Sequence, residues 1–195
     1  TLNTSLKKEL SKIGYNVLIL SIDDFYYEYK VLNHKLKKFN NKLYKYRGLS
    51  GTHDVYLLSD TIINIKKNKN TLIPIYNKNK YNGLGDREGY YESGVNIDIV
   101  ILEGWLIGYD PQNNISDDCY LFNENLKLYD IIKNKINFWI KIESDKISNI
   151  YDWRWSAEDK KNGMNKETFD SFFEPYLKIY NNYKVTDKEK IIIDK

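Results

Sequence analysis

Cysteine occurs once, at Cys119, in a chain of 195 residues. A single thiol excludes an internal disulfide framework and fits a reducing compartment, for which the cytoplasm is the expected location. No apolar run approaches the roughly 20 residues that a bilayer-spanning helix needs, and no secretory leader stands at the start, so no membrane partner is expected. An excess of one charge is also missing. Thirty Lys and Arg stand against 27 Asp and Glu, a net charge of +3. The lysines are scattered among acids and form no basic stripe, which argues against a nucleic-acid partner. The chain opens with Thr1, not Met, inside a segment that reads as a helix. A segment preceding residue 1 is therefore expected.

What is present is ordinary for a globular domain: 42% hydrophobic and 29% charged residues, enough for one core over residues 1–195. Residues 2–13 place Leu2, Leu6, Leu10 and Ile13 at helical spacing, with Gly14 as the stop. The run Val17-Leu18-Ile19-Leu20 reads as a buried parallel strand, because its apolar residues do not alternate. Residues 55–68 read as a helix, 71–89 as a loop that begins as a short strand, and 95–108 as a second buried strand. Residues 135–144 read as a third strand, 145–163 and 165–183 as helices, and "KIIIDK" (190–195) as a final strand. The lysine- and asparagine-rich stretches 35–45 and 66–70 read as solvated surface or inserted loop. Helices alternating with unbroken apolar strands predict an α/β fold, a parallel sheet with helices on both faces.

Chemistry is concentrated where strands end. In an open parallel sheet, ligands bind beyond the carboxyl ends of the strands. Two strands here end in acids: the first at Asp23 and Asp24, the second at Glu103. Such a carboxylate either caps the next helix or takes a proton from a substrate hydroxyl and helps hold Mg²⁺. "YRGLSGTHDV" (46–55) gathers Arg47, Thr52, His53 and Asp54. A cap accounts for Thr52 or Asp54, but not for Arg47 or for His53, one of only two histidines. "GDREG" (85–89) offers Arg87, suited to a carboxylate or phosphate, and "YDWRW" (151–155) sets Arg154 between two tryptophans.

These segments together resemble the P-loop small-molecule kinases related to glycerate kinase of the plant and fungal type, within the wider uridine kinase, pantothenate kinase and phosphoribulokinase fold. The matching stretches are "SIDDFY" (21–26), "RGLSGTHD" (47–54), "IPIYNK" with "GDR" (73–78 and 85–87), "ILEGWLIG" (101–108) and "NIYDWRWSAE" (149–158). The resemblance implies Asp23 as catalytic base, Glu103 near Mg²⁺ and Arg154 in a lid over the phosphates. It implies an acceptor site lined by Asp24, Tyr26, Arg47, Thr52, His53, Asp54, Lys78 and Arg87. It implies ATP and Mg²⁺ as cofactors and glycerate as the leading substrate. The family's phosphate loop, G-x-x-x-x-G-K-[ST], does not occur in the chain. The resemblance sets that loop and the first strand ahead of Thr1, with Thr1 at its edge, touching the nucleotide. The chain departs from the family at Asn77, where Asp is usual, and at Ser50, where Pro is usual. Two alternatives stay open: an ATP-binding interaction protein of this fold without catalysis, and a kinase acting on a nucleoside.

Overall fold

Val17–Ser21 forms strand β1, and its apolar run carries Leu20 and the following Ile22 into full burial. Burying each such side chain is worth roughly 1.5–3 kcal/mol. The computed structural model describes residues 2–113, 115–142, 144, 146–162, 165–183 and 185. Around β1 lie helix α1 (Leu2–Lys12), which packs against it, and a 3-10 turn over Ile22–Phe25. Then follow α2 (Tyr29–Phe39), α3 (Val55–Lys66), β2 (Leu72–Asn77), β3 (Asp86–Glu92) and β4 (Ile99–Glu103). The carboxyl-terminal part holds α4 (Asp117–Leu126), α5 (Asp130–Lys133), α6 (Ile147–Asn162) and α7 (Lys166–Asn182).

β1 and β4 pair in parallel, with Val17 opposite Ile99 and Ser21 opposite Glu103. This register decides the site, because it brings the carboxyl ends of both strands to one edge. Both strands are shorter than the apolar runs containing them. Residues 95–98 instead hold the start of β1: the Asp98 carboxylate accepts from the Asn16 N–H at 2.7 Å, and the Asn16 side chain donates to the Val95 and Asn96 carbonyls. At the other end, Gly104 lies so close to Ile22 that a Cβ would meet it at 2.5 Å.

Three expectations are corrected. Residues 71–89 are not a loop: β2 and β3 form an antiparallel hairpin, bulged between Ile75 and Tyr76. Pro74 and the Asn- and Gly-rich connection hide it from a periodicity reading. Residues 136–142 are not a strand, although Phe138, Ile140 and Ile142 are apolar; all three are exposed. This segment and β4 border an open groove of about 1930 Å³, into which Leu2, Leu6 and Leu10 of α1 also face. The apolar stripe of α1 is therefore on the groove and buries no residue fully. The stretch 35–45 is not all loop either, since Lys35–Phe39 complete α2. The expected final strand at 190–195 lies outside the described residues, as does Gly163. Among the described residues, no helix is long and apolar enough to cross a membrane.

Candidate active site

The parallel register sets Asp23 and Asp24, in the turn after β1, beside Glu103 at the end of β4. Asp23 stands between two partners. Its Oδ2 accepts from Lys78 Nζ at 2.6 Å, and its Oδ1 faces His53 Nε2 at 4.0 Å. Burial pushes the Asp23 carboxyl up, but the His53 ring and the Lys78 charge outweigh it and hold it well below the usual carboxylate range. Asp23 is therefore an anion at any physiological pH. Asp24 behaves in the opposite way. Its Oδ1 accepts from the Tyr76 N–H at 3.3 Å, yet burial, with the charges of Asp23 and Glu103, pushes its carboxyl up. Glu103 is exposed and accepts from Asn3 Nδ2 at 3.2 Å, which places the amino-terminal turn of α1 beside the acids.

The loop 47–54 is folded by its own polar groups. Thr52, fully buried, donates to the Leu49 carbonyl at 2.7 Å and accepts from the Gly48 N–H at 3.1 Å. Asp54 caps α3 by accepting from the Leu57 N–H at 3.1 Å, and its other oxygen pairs with Arg87 at 3.2 Å. Arg87 also donates from Nε to the Tyr26 carbonyl at 3.1 Å. Thr52 thus braces the loop internally, and the Asp54–Arg87 pair clamps it to the hairpin. Ser50 donates to the Phe122 carbonyl at 2.6 Å and so ties the loop to α4. Asn77 faces Glu88 across the hairpin, at 3.1 Å. Backbone bonds from Asp54 N to Phe25 O (2.7 Å) and from Tyr27 N to Thr52 O (3.2 Å) lay residues 52–54 along 25–27. That pairing sets His53 behind Asp23.

Aromatic rings and arginines wall the other side. The Arg47 guanidinium lies over the rings of Tyr26 and Tyr76, at 5.8 and 5.6 Å, and donates to the Gly83 carbonyl in the hairpin loop. Trp105 Nε1 donates to the Gly48 carbonyl at 3.0 Å. Tyr176 of α7 donates to the Arg47 carbonyl at 3.1 Å. Arg154 is exposed on α6, which is held to α7 by the Tyr151–Phe169 and Trp155–Phe169 ring contacts. Burial pushes the Tyr176 hydroxyl up, and the charges of Arg154 and Arg47 oppose that rise while Asp23 adds to it. All three charges therefore face the neighbourhood of one hydroxyl. Thr1 lies outside the described residues.

No family model matches the chain. The uncharacterized kinase mug58 of Schizosaccharomyces pombe is 30% identical over 217 residues, which cover 98% of this chain and 78% of that protein. The chloroplastic D-glycerate 3-kinase of Arabidopsis thaliana is 32% identical over 187 residues, covering 86% of this chain. The chain spans 41% of that enzyme's length. Among solved structures, D-glycerate 3-kinase from Cryptococcus neoformans var. grubii superposes with a TM-score of 0.86 at 26% identity, over 98% of this chain and 80% of that one. The chain belongs to the D-glycerate 3-kinase-related family of P-loop kinases.

Membership makes this kinase an ATP-binding α/β transferase by family. Its acid edge fits a Mg²⁺ that arrives with a nucleotide. Asp24 is pushed up partly by Asp23 and Glu103, so negative potential accumulates there without full compensation. Among the described residues, no three His, Cys, Asp or Glu gather as a closed metal cage. Mg²⁺ held with phosphates needs only one or two carboxylates, and Glu103 is the exposed one.

Sequence reasoning missed three contributors to the kinase's site. Tyr129 is fully buried and bonds His53 Nδ1 at 2.7 Å. Tyr176 and Tyr76 shape the walls around Arg47. Tyr129 and Tyr176 carry no local mark among 18 tyrosines; Tyr76, in "IPIYNK", and Trp105, in "EGW", lie in the stretches that carried the resemblance.

Proposed function

We propose that this kinase transfers the γ-phosphoryl group of ATP to a hydroxyl of a small hydroxy acid, glycerate being the leading candidate. The observation that carries the reading is a strand-end carboxylate kept anionic, Asp23, directly beside cations that an anionic acceptor requires. Lys78 pairs with Asp23 at 2.6 Å and is half exposed, so its ammonium is able to turn from Asp23 to an incoming carboxylate. Arg47 and Asp23 both act on the Tyr26 hydroxyl, so they face a common space. A carboxylate leaving water for a partly closed pocket needs such charge-assisted bonds, and a neutral nucleoside does not.

In the transfer, Asp23 orients the acceptor hydroxyl and takes its proton. The hydroxyl oxygen forms a bond to Pγ, the bond from Pγ to the bridging oxygen breaks, and the electron pair leaves with ADP. Phosphoryl transfer asks for positioning and charge neutralisation more than for a strong base, so a carboxylate of low basicity suffices. Arg154, on the exposed face of α6, closes over the phosphates and meets charge developing on them. Glu103 would help hold a Mg²⁺ arriving with the nucleotide, and the ion would supply neutralisation of phosphate charge. The nucleotide's phosphates sit at the start of α1, beside Glu103. The open groove along β4 is wide enough for a further strand of the sheet. Its walls include the edge of β4 that no described strand covers and the apolar stripe of α1.

The test is Asp23→Asn in the full-length protein, with glycerate and uridine offered as acceptors. Asparagine keeps the shape and loses the base, so kcat with glycerate falls by at least ~10²-fold while ATP affinity holds. Unchanged turnover refutes the role of Asp23. A wild-type protein that phosphorylates uridine and ignores glycerate refutes the substrate class. One that binds ATP and phosphorylates no alcohol is the non-catalytic protein.

A further inference from the structure

His53 is out of contact with solvent, 1% exposed, and its Nε2 is a buried polar atom without a hydrogen-bond partner. Such atoms are rare in folded proteins, because burying an unsatisfied polar group is costly. The ring is fixed on both sides. It stacks on Tyr26 at 4.2 Å and meets the Tyr129 ring edge-on at 5.9 Å. Its Nδ1 bonds the Tyr129 hydroxyl at 2.7 Å, and its Nε2 looks at Asp23 Oδ1 from 4.0 Å.

The proton positions follow from what surrounds the ring. The backbone of Gly51 and His53 opposes the rise that burial imposes on the Tyr129 hydroxyl, so that loop lies against its oxygen. The other ring nitrogen decides the tautomer: Nε2 faces the Asp23 carboxylate and carries the proton, so Nδ1 accepts from the Tyr129 hydroxyl. The opposite tautomer would turn a bare lone pair toward the Asp23 carboxylate.

We infer that Tyr129 and His53 form a buried relay that positions Asp23: Tyr129 donates to His53 Nδ1, and the fixed Nε2–H holds Asp23 Oδ1 in its catalytic orientation. The inference rests on Asp23 acting as base in the proposed transfer. It gives His53 a place behind the carboxylate and not in the acceptor pocket. Lys78 holds Asp23 from the open side, through Oδ2. When Lys78 turns to an anionic substrate, Asp23 keeps one partner, and the short approach to Nε2–H completes that bond. The groups facing His53 are Asp23 from the turn after β1, Lys78 from the hairpin loop, Tyr26 and Tyr129. Burial pushes the His53 imidazole down, so the ring is neutral and acts as a donor without charge.

The experiment compares His53→Phe, which keeps a ring on Tyr26 and removes the donor, with His53→Gln, whose amide N–H replaces Nε2–H. The expected result is a folded Phe variant with kcat for glycerate lowered by up to about 10²-fold, the cost of misplacing a reacting group by 1 Å, and KM little changed. The Gln variant recovers most of the rate. The Asp23→Asn/His53→Phe double variant is no slower than Asp23→Asn alone. Wild-type turnover in a folded His53→Phe, beside an inactive Asp23→Asn, overturns the relay and leaves the base standing. An active Asp23→Asn instead removes the reading beneath it. Nitrogen-15 spectra of the wild-type imidazoles supply a readout independent of turnover and of how the variants fold. A neutral Nε2–H tautomer is expected from about pH 7 to pH 8, since burial pushes the imidazole below its ordinary value. An Nδ1–H tautomer, or a His53 that charges in that range, overturns the inference.

Discussion

Gly48→Ala adds one methyl group where α7 crosses the loop 47–54. The backbone at Gly48 has φ of +122°, outside the regions that a residue with a Cβ adopts readily. The new Cβ would lie 1.8 Å from the Tyr176 hydroxyl oxygen and 2.8 Å from the ring carbon that bears it. Tyr176 has little freedom to retreat, since its ring packs 5.0 Å from Trp105 and 5.9 Å from Phe173. Either the helix moves or the loop does, and the Tyr176 bond to the Arg47 carbonyl breaks. The unfavourable backbone costs about 1–3 kcal/mol and the lost hydrogen bond about 1 kcal/mol. A total near 3 kcal/mol lowers the melting temperature by roughly 6–12 °C in a domain of this size. Thermal unfolding followed by circular dichroism measures it. The cost should shrink in a Tyr176→Phe background, because the nearest atom is then gone. A Gly48→Ala protein that melts within a degree of wild type would show that the close approach of α7 does not explain the glycine.

Arg47→Ala removes a guanidinium that faces the acceptor space. We expect KM for glycerate to rise about 10- to 100-fold, the range of a lost charge-assisted bond, with a milder effect on ATP in steady-state kinetics. Asp24→Asn should raise the melting temperature at pH 7 while lowering activity. Because folding raises the Asp24 carboxyl above its ordinary value, that group's contribution to stability is present at low pH and lost as pH rises through its titration. Asparagine mimics the protonated form and retains an oxygen for the Tyr76 N–H, so the gain should vanish below the ordinary carboxylate value of about 4. An equal gain at pH 3 and pH 7 would refute this.

Much of the site was legible where it depends on order along the chain. The apolar run before Asp23 and the one before Glu103 are local signals, and parallel pairing of such runs brings their acids to one edge. "RGLSGTHD" read as a loop entering a helix, and Asp54 does cap α3. What each side chain of that loop faces was not legible. Arg87 read as a loop cation suited to a substrate carboxylate or phosphate, but its partners here are the Tyr26 carbonyl and Asp54, 61 and 33 residues away. The hairpin at 72–92 was hidden because its pairing, not its periodicity, makes it a sheet. Residues 136–142 have strand composition, yet the open groove separates them from β4, and they pair with no described strand.

The sequence by itself determined the class of the molecule: an α/β kinase-type fold with acids at strand ends, because strand periodicity and short motifs are written locally. The tertiary structure decided which charged groups meet. Lys78 reaches Asp23 across 55 residues and Tyr129 reaches His53 across 76. A carboxylate's basicity and a histidine's tautomer are set by such partners and by burial, and neither is encoded within a few residues of the group itself.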